Sequence, residues 1–311
     1  MYWWVWVLII GLIILPFLLL LILSLLLTWL TLYRKSAWCT DKKPWIPRYE
    51  KKEDMDRALA SMDWYRHNGE DVWIKSYDGI KLHGKYFRKK DAKKTILLFH
   101  GYRGIPEGDF CLVNEWLRTL DVSFLEVDQR GHCLSEGKHI TMGVKEQHDV
   151  HSWVEYLLNL NDDSIYLWGM SMGATSVLLS LKEPFPNRVK GVIADCGFYS
   201  PYKQMEHMII QHKGAFVVPL LNWLCGIWTS LVLRVNIRKV DTRKILVDCK
   251  MPIFFAHGMK DNFVPYFMSQ RNFDACSSEK YLLLVPDAAH SRSFFLGGDN
   301  FKEKALIILE K

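Results

Sequence analysis

The sequence of 311 residues carries no charged side chain between Tyr2 and Tyr33, and none again between Gly214 and Leu233. Its seven cysteines, Cys39, Cys111, Cys133, Cys196, Cys225, Cys249 and Cys276, include no Cys-x-x-Cys pair and no regular spacing. That pattern offers neither a zinc site nor a disulfide framework, and scattered cysteines beside apolar runs fit a reducing compartment. No glycine-rich loop of the phosphate-cradling or dinucleotide-binding kind opens a helix, so no cofactor is expected. Internal repeats and low-complexity tracts are missing too, which excludes solenoids and disordered arrays.

Each charge-free stretch has its own meaning. About 20 apolar residues cross a bilayer, so residues 2–33 are long enough to span with tilt. Trp3, Trp4 and Trp6 at one end and Trp29, Tyr33 and Trp38 at the other stand where aromatic belts meet the interfaces. Pro16 is tolerable within a membrane helix. No basic residue precedes the run and no small-x-small site follows, so an anchor is expected over 1–35, not a cleaved signal. Arg34, Lys35, Lys42, Lys43, Arg48, Lys51 and Lys52 all lie on its C-terminal side. The positive-inside rule then keeps the rest of the chain cytoplasmic. The net charge of +6 comes without a nucleic-acid fold signature, and anionic lipid headgroups are the better partner for it. A linker and helix (36–70) lead into a domain over 71–311.

The second stretch, if it spanned, would put Ser171 on one side of the membrane and Asp261 and His290 on the other. Residues 198–245 are therefore expected to form a small helical cap. Its Phe216, Leu220, Leu221, Trp223, Leu224, Ile227, Trp228 and Leu231 would line an acyl-sized pocket, touch the bilayer, or simply pack the cap.

The informative motif is Ile165-Tyr166-Leu167-Trp168-Gly169-Met170-Ser171-Met172-Gly173-Ala174. A β-prone run enters Gly-x-Ser-x-Gly, and an apolar helical pattern leaves it through Val177, Leu178 and Leu181. This is the pattern of a nucleophile elbow, a sharp strand-to-helix turn with one serine at its tip. Strand-like runs recur at Thr95–Phe99, Val122–Val127, Gly191–Ala194, Pro252–Ala256 and Tyr281–Val285, with a helix over 144–160 and another closing the chain at Ala305–Leu309. Alternating strands and helices imply a mostly parallel, doubly covered sheet. Two further strands flank the Asp78-Gly79 turn signal.

With these motifs the chain resembles serine hydrolases of the α/β-hydrolase fold over roughly residues 70–311, and in particular bacterial ones carrying one N-terminal membrane helix. The resemblance implies a triad in the chain order Ser, Asp, His. Asp261 matches His-Gly-x-x-Asp-x-x-Val-Pro at His257–Pro265, and His290 matches an Ala-x-His loop. Asp195, after the preceding strand, and Asp287, nearer in sequence, are the competing acids. The oxyanion hole would be the backbone N–H groups of Met172 and, by the family pattern, Tyr102. His100 and His132 read as structural. Asp128–Ser135 matches Asp-x-Arg-Gly-His-Gly-x-Ser except that Cys133 replaces the glycine. Glu146, His148, Asp149 and His151 do not share one helix face, so no metal is expected. An acyl substrate, ester before peptide, is implied, against a catalytically silent scaffold that retains the fold.

Overall fold

The computed structural model describes residues 2–33, 49–211 and 218–311. The part of the expected linker over 36–48, with Trp38 and Cys39, and the cap residue Phe216 lie outside the described residues. The chain divides into two compact units, Arg34–Tyr199 with Asp241–Lys311, and Met1–Tyr33 with Ser200–Val240.

The larger unit is built on eight strands: β1 (Glu70–Lys75), β2 (Lys81–Phe87), β3 (Lys94–Phe99), β4 (Ser123–Val127), β5 (Ser164–Met170), β6 (Val189–Asp195), β7 (Ile253–Gly258) and β8 (Lys280–Val285). Their order across the sheet is β1-β2-β4-β3-β5-β6-β7-β8. The first two pair antiparallel about the Asp78-Gly79 turn, β2 pairs antiparallel with β4, and all other neighbours are parallel. Strands β3 to β7 read as near-continuous apolar runs because both faces of the sheet are covered. On one face Ile96, Leu98, Tyr166, Trp168 and Phe254 pack with Phe110, Leu117 and Phe301; on the other Leu97, Leu167, Val192 and Phe255 pack with Val150, Trp153 and Val177. Odd and even residues of one strand thus feed two separate cores, the period of two that a pleated strand imposes.

The helices follow the same logic. In this unit lie α2 (Lys52–His67), α3 (Pro106–Asp109), α4 (Cys111–Leu117), α5 (Glu146–Leu160), α6 (Met172–Ser180), α9 (Arg243–Leu246), α10 (Phe267–Ala275) and α11 (Ser293–Leu309). The smaller unit holds α1 (Trp3–Leu32), α7 (Pro201–Gln211) and α8 (Val218–Val232). Helix α2 turns Ala58, Met62 and Tyr65 inward at spacings of four and three, as an amphipathic helix does. Helix α11 begins twelve residues earlier than the expected Ala305, because it is kinked at Gly298 (φ 52°) and the Gly297-Gly298 pair erases the apolar period there.

In the smaller unit α1 exposes Trp3, Trp4, Trp6, Leu12 and Phe17 and packs its C-terminal half on α8. Its segment Ile14–Leu32 is long and apolar enough to cross a membrane. Helices α7 and α8 occupy the region expected to form the cap.

Candidate active site

Strand register brings the relevant strand ends together. Met170 pairs with Asp195, Asp195 with Ala256, and Gly258 with Val285. The peptide links continue into the loops: Ser171 N–H donates to Asp195 O (2.8 Å), Cys196 N–H to Ala256 O (2.8 Å), and Lys260 N–H to Ala288 O (2.9 Å). Ser171, Asp261 and His290 thus all leave the same, C-terminal edge, where open parallel sheets bind ligands.

Ser171 stands between β5 and α6 with φ 55° and ψ −115°. An L-residue takes such a conformation only when its surroundings enforce it. The enforcement is visible at the two flanking glycines. A Cβ on Gly173 would lie 2.0 Å from Phe99 O, and one on Gly169 would lie 2.4 Å from the Ala174 backbone. Strand and helix approach so closely that no side chain fits there. Met172 is the first residue of α6, so its N–H belongs to the group that has no acceptor within the helix.

Asp261 and His290 meet directly. His290 Nδ1–H donates to Asp261 Oδ2 over 2.6 Å. Asp261 is buried (5 % exposed) and also accepts His257 Nε2–H (3.1 Å) and the backbone N–H groups of Phe263 and Val264 (2.8 Å each). Burial pushes its pKa up, but the charge of His290 and the hydrogen bonds from His257 and His290 outweigh that and hold it below the usual carboxylate range. It is therefore ionised at neutral pH. With one imidazole nitrogen engaged, Nε2 of His290 is left to handle protons, and Phe263 packs against the ring edge (4.9 Å).

The competing acids are placed differently. Asp287 is exposed and pairs with Lys260 (2.7 Å). Asp195 is fully buried at the end of β6, and neither carboxylate oxygen has a hydrogen-bond partner among the described residues. Burial raises its pKa to about 6; the adjacent Ser293 hydroxyl, which reaches no good hydrogen-bond geometry, and the charges of His257 and His290 lower it by less, and Asp261 raises it.

The loop after β3, residues 100–104, is held from several sides. His100 Nδ1–H donates to Gly101 O (2.8 Å) and its Nε2 accepts Gln129 N–H (3.1 Å). His132 Nδ1–H donates to Arg130 O (3.0 Å) and its Nε2 accepts Arg103 N–H (3.0 Å). Burial lowers the pKa of both rings, and a neutral imidazole is what can accept a backbone N–H at one nitrogen while donating at the other. Both histidines thus act on backbone. The sequence reading missed the third clamp: Asp109, at the end of α3, accepts Gly101 N–H through Oδ2 over 2.7 Å. Burial raises its pKa to about 6 against that bond and the charge of His290.

Arg130 donates to both oxygens of buried Asp149 (2.6 Å each) and to Asp78 (2.9 Å). Glu146 accepts the N–H groups of Thr141 and Gly143, and His151 Nε2–H donates to Ser180 O. Glu146, Asp149 and His151 of α5 are thus committed to structure. Cys133 takes φ 39°, the left-handed conformation that explains a glycine at this place in the resembling motif. Among the described residues, one grouping has metal-ligand spacing: Cys196 Sγ, the Asp261 carboxylate and His290 lie within 4.8 Å of one another.

The comparisons with known proteins agree with this architecture. A family model described as "Serine aminopeptidase, S33" matches residues 90–245. The chain is 24% identical over 257 residues to the alpha/beta hydrolase domain-containing protein WAV2 of Arabidopsis thaliana, covering 78% of this chain and 79% of that one. It is 24% identical over 242 residues to the uncharacterized membrane protein YNL320W of Saccharomyces cerevisiae, covering 74% and 76%. Among solved structures, the Pyrococcus furiosus esterase Pf2001 superposes with a TM-score of 0.62 at 22% identity, over 87% of this chain and 98% of that one. At that identity the likeness is one of fold.

Proposed function

The chain belongs to the serine aminopeptidase S33 family, a hydrolase family of the α/β-hydrolase fold, and from that premise we propose that it is a membrane-anchored serine hydrolase with Ser171, His290 and Asp261 as its triad. The observation that carries this reading is the enforced backbone of Ser171 at the strand–helix junction, φ 55° and ψ −115°. The 2.6 Å bond between Asp261 and His290 supports the other two roles.

In this reading Ser171 Oγ attacks the substrate carbonyl while His290 Nε2 takes its proton. Asp261 keeps the imidazole in the tautomer with hydrogen on Nδ1 and stabilises the imidazolium that forms. The oxyanion is met by the N–H groups of Met172 and Tyr102, each such donor contributing about 3 kcal/mol to the transition state. The imidazolium returns its proton to the leaving group, and water activated by the same ring frees the acyl group from Ser171. Carboxylic esters with apolar acyl groups are the favoured substrates, in keeping with an apolar cap over 198–245 and with anchoring by α1. The family description favours a second reading, hydrolysis of an aminoacyl or peptidyl amide by the same steps. Anchoring rests on the apolar segment Ile14–Leu32, and the basic residues after it favour a cytoplasmic catalytic unit.

The full chain in detergent is to be treated with a fluorophosphonate probe beside Ser171→Ala and His290→Ala. A p-nitrophenyl ester series and aminoacyl p-nitroanilides run on the same samples. Labelling lost in both variants, with ester turnover exceeding anilide turnover, is expected. Labelling that survives Ser171→Ala removes that residue as nucleophile, and no labelling of a folded protein leaves a silent scaffold.

A further inference from the structure

Helix α8 is built the wrong way round for water. A helix on the surface of a soluble domain turns apolar residues inward and polar ones outward. On α8 the outward face is Leu220, Trp223, Ile227 and Leu231, at spacings of three, four and four; Leu220, Trp223 and Leu231 are 43%, 47% and 67% exposed. The buried side holds Asn222, Cys225 and Thr229 beside Val218, Leu221 and Leu224. It packs on α1 where that helix, too, turns its polar residues inward: Ser24 and Thr28 are buried, while Ile22, Leu25, Leu26 and Trp29 around them are exposed.

Most of these polar groups find partners; Asn222 Nδ2–H donates to Tyr202 O of α7 (3.3 Å), while its Oδ1 has none among the described residues. Trp228 Nε1–H donates to Ser24 Oγ (2.8 Å), and Cys225 Sγ–H to Ser24 O (3.5 Å). Ser24, Thr28, Thr229 and Ser230 each return their hydroxyl hydrogen to a carbonyl of their own helix, at 2.7–3.0 Å. Even Ser230, the one hydroxyl near the outward face, is thereby closed off. Two helices joined by small and hydroxyl-bearing residues, with those hydroxyls bonded inside and hydrocarbon outside, follow the packing rule of lipid-embedded helices.

We propose that α8 is a second lipid-embedded helix, lying beside α1 in the hydrocarbon of one leaflet and meeting lipid through Leu220, Trp223, Ile227 and Leu231. This rests on the reading of α1 as a membrane helix. The occupant follows from continuity: the medium that bathes Ile22, Leu25, Leu26 and Trp29 of α1 also bathes the adjoining face of α8. Fifteen residues make a helix of about 22 Å, too short for a hydrocarbon core of about 30 Å. Strands β6 and β7, before and after α8, pair in one sheet, so the chain enters and leaves on one side.

The test uses the full chain in vesicles of phosphatidylethanolamine and phosphatidylglycerol. A photoreactive p-benzoylphenylalanine replaces Trp223, Leu231 or, as the report on α1, Ile22, one position at a time; all three are exposed, and unchanged melting checks the fold. Lipid adducts at Trp223 and Leu231 in yields comparable to Ile22 are expected. Lipid adducts at Ile22 with chain dimers at the other two positions would mean that a second copy covers α8, and would overturn the proposal. Lipid adducts at Ile22 with neither lipid nor protein adducts on α8 would overturn it equally, leaving the anchor intact. No lipid adduct at Ile22 would remove the anchor reading and this inference with it.

Discussion

At the scale of single residues, three side chains make separable claims. Asp109 holds the Gly101 N–H and so sets the loop that carries the Tyr102 peptide. Asp109→Ala leaves that donor buried and unpaired, at a cost of about 1–3 kcal/mol. It is expected to lower kcat for ester hydrolysis at least tenfold while KM changes little, and Asp109→Asn, which keeps an acceptor oxygen, should restore most of the loss. Asp195 makes a claim about pH. Its pKa of about 6 in the folded chain exceeds the value of about 3.9 for an unfolded chain, so the folded state binds the proton more tightly. The acid thus costs nothing below about pH 4, costs progressively more from there to pH 6, and costs about 3 kcal/mol above it. Asp195→Asn should raise the melting temperature at pH 8 and have little effect near pH 4; an equal effect at both would refute the unpaired carboxylate. Cys133, at φ 39°, carries left-handed strain of about 1–2 kcal/mol that glycine does not feel. Cys133→Gly should therefore melt higher than the parent, by part of that amount, since glycine also loses more entropy on folding.

At the scale of elements, the junction of β5, Ser171 and α6 is the part written most openly in the chain. An apolar β-prone run, two glycines about a serine and a helical apolar pattern each constrain local backbone, and local backbone is what a sequence expresses. Gly173→Ala would drive a methyl group toward Phe99 O, 2.0 Å away. It should abolish fluorophosphonate labelling and destabilise the fold by more than the 1–3 kcal/mol typical of an overpacked core, read by thermal melting. The strands and their cover on both faces were legible for the same reason, through runs such as Thr95–Phe99. The clamp from Asp109 was not, because it depends on a short helix folding back to a peptide eight residues earlier. Nor was the isolation of Asp195, a property of what surrounds the end of β6 and not of its neighbours in the chain. The partnership of α8 with α1 was hidden differently. Both helices are mostly apolar, and their few polar residues, Ser24, Thr28, Asn222 and Thr229 among them, turn toward the buried side, the reverse of the pattern by which a surface helix is read.

At the scale of the whole molecule, the proposed membrane anchor and the proposed triad lie on separate stretches of chain, and each reading can fail without the other. The basic residues following α1 place the C-terminus in the cytoplasm on our reading. An alkaline phosphatase fused after Lys311 should therefore be inactive in bacteria, and a fluorescent protein fused there should glow; the reverse pair would invert the orientation without touching the triad. Domains of this kind keep a net stability of only about 5–15 kcal/mol. The dihedral angles of Ser171 withdraw about 1–3 kcal/mol of that, the usual cost of a residue held in such a region. Reactivity and durability are thus opposed at one position. Ser171→Gly and Ser171→Ala are both inactive on the proposed triad; Ser171→Gly, which relaxes at that φ, should outlast Ser171→Ala on heating, so that the hardier form of this protein would be one that has given up its proposed nucleophile.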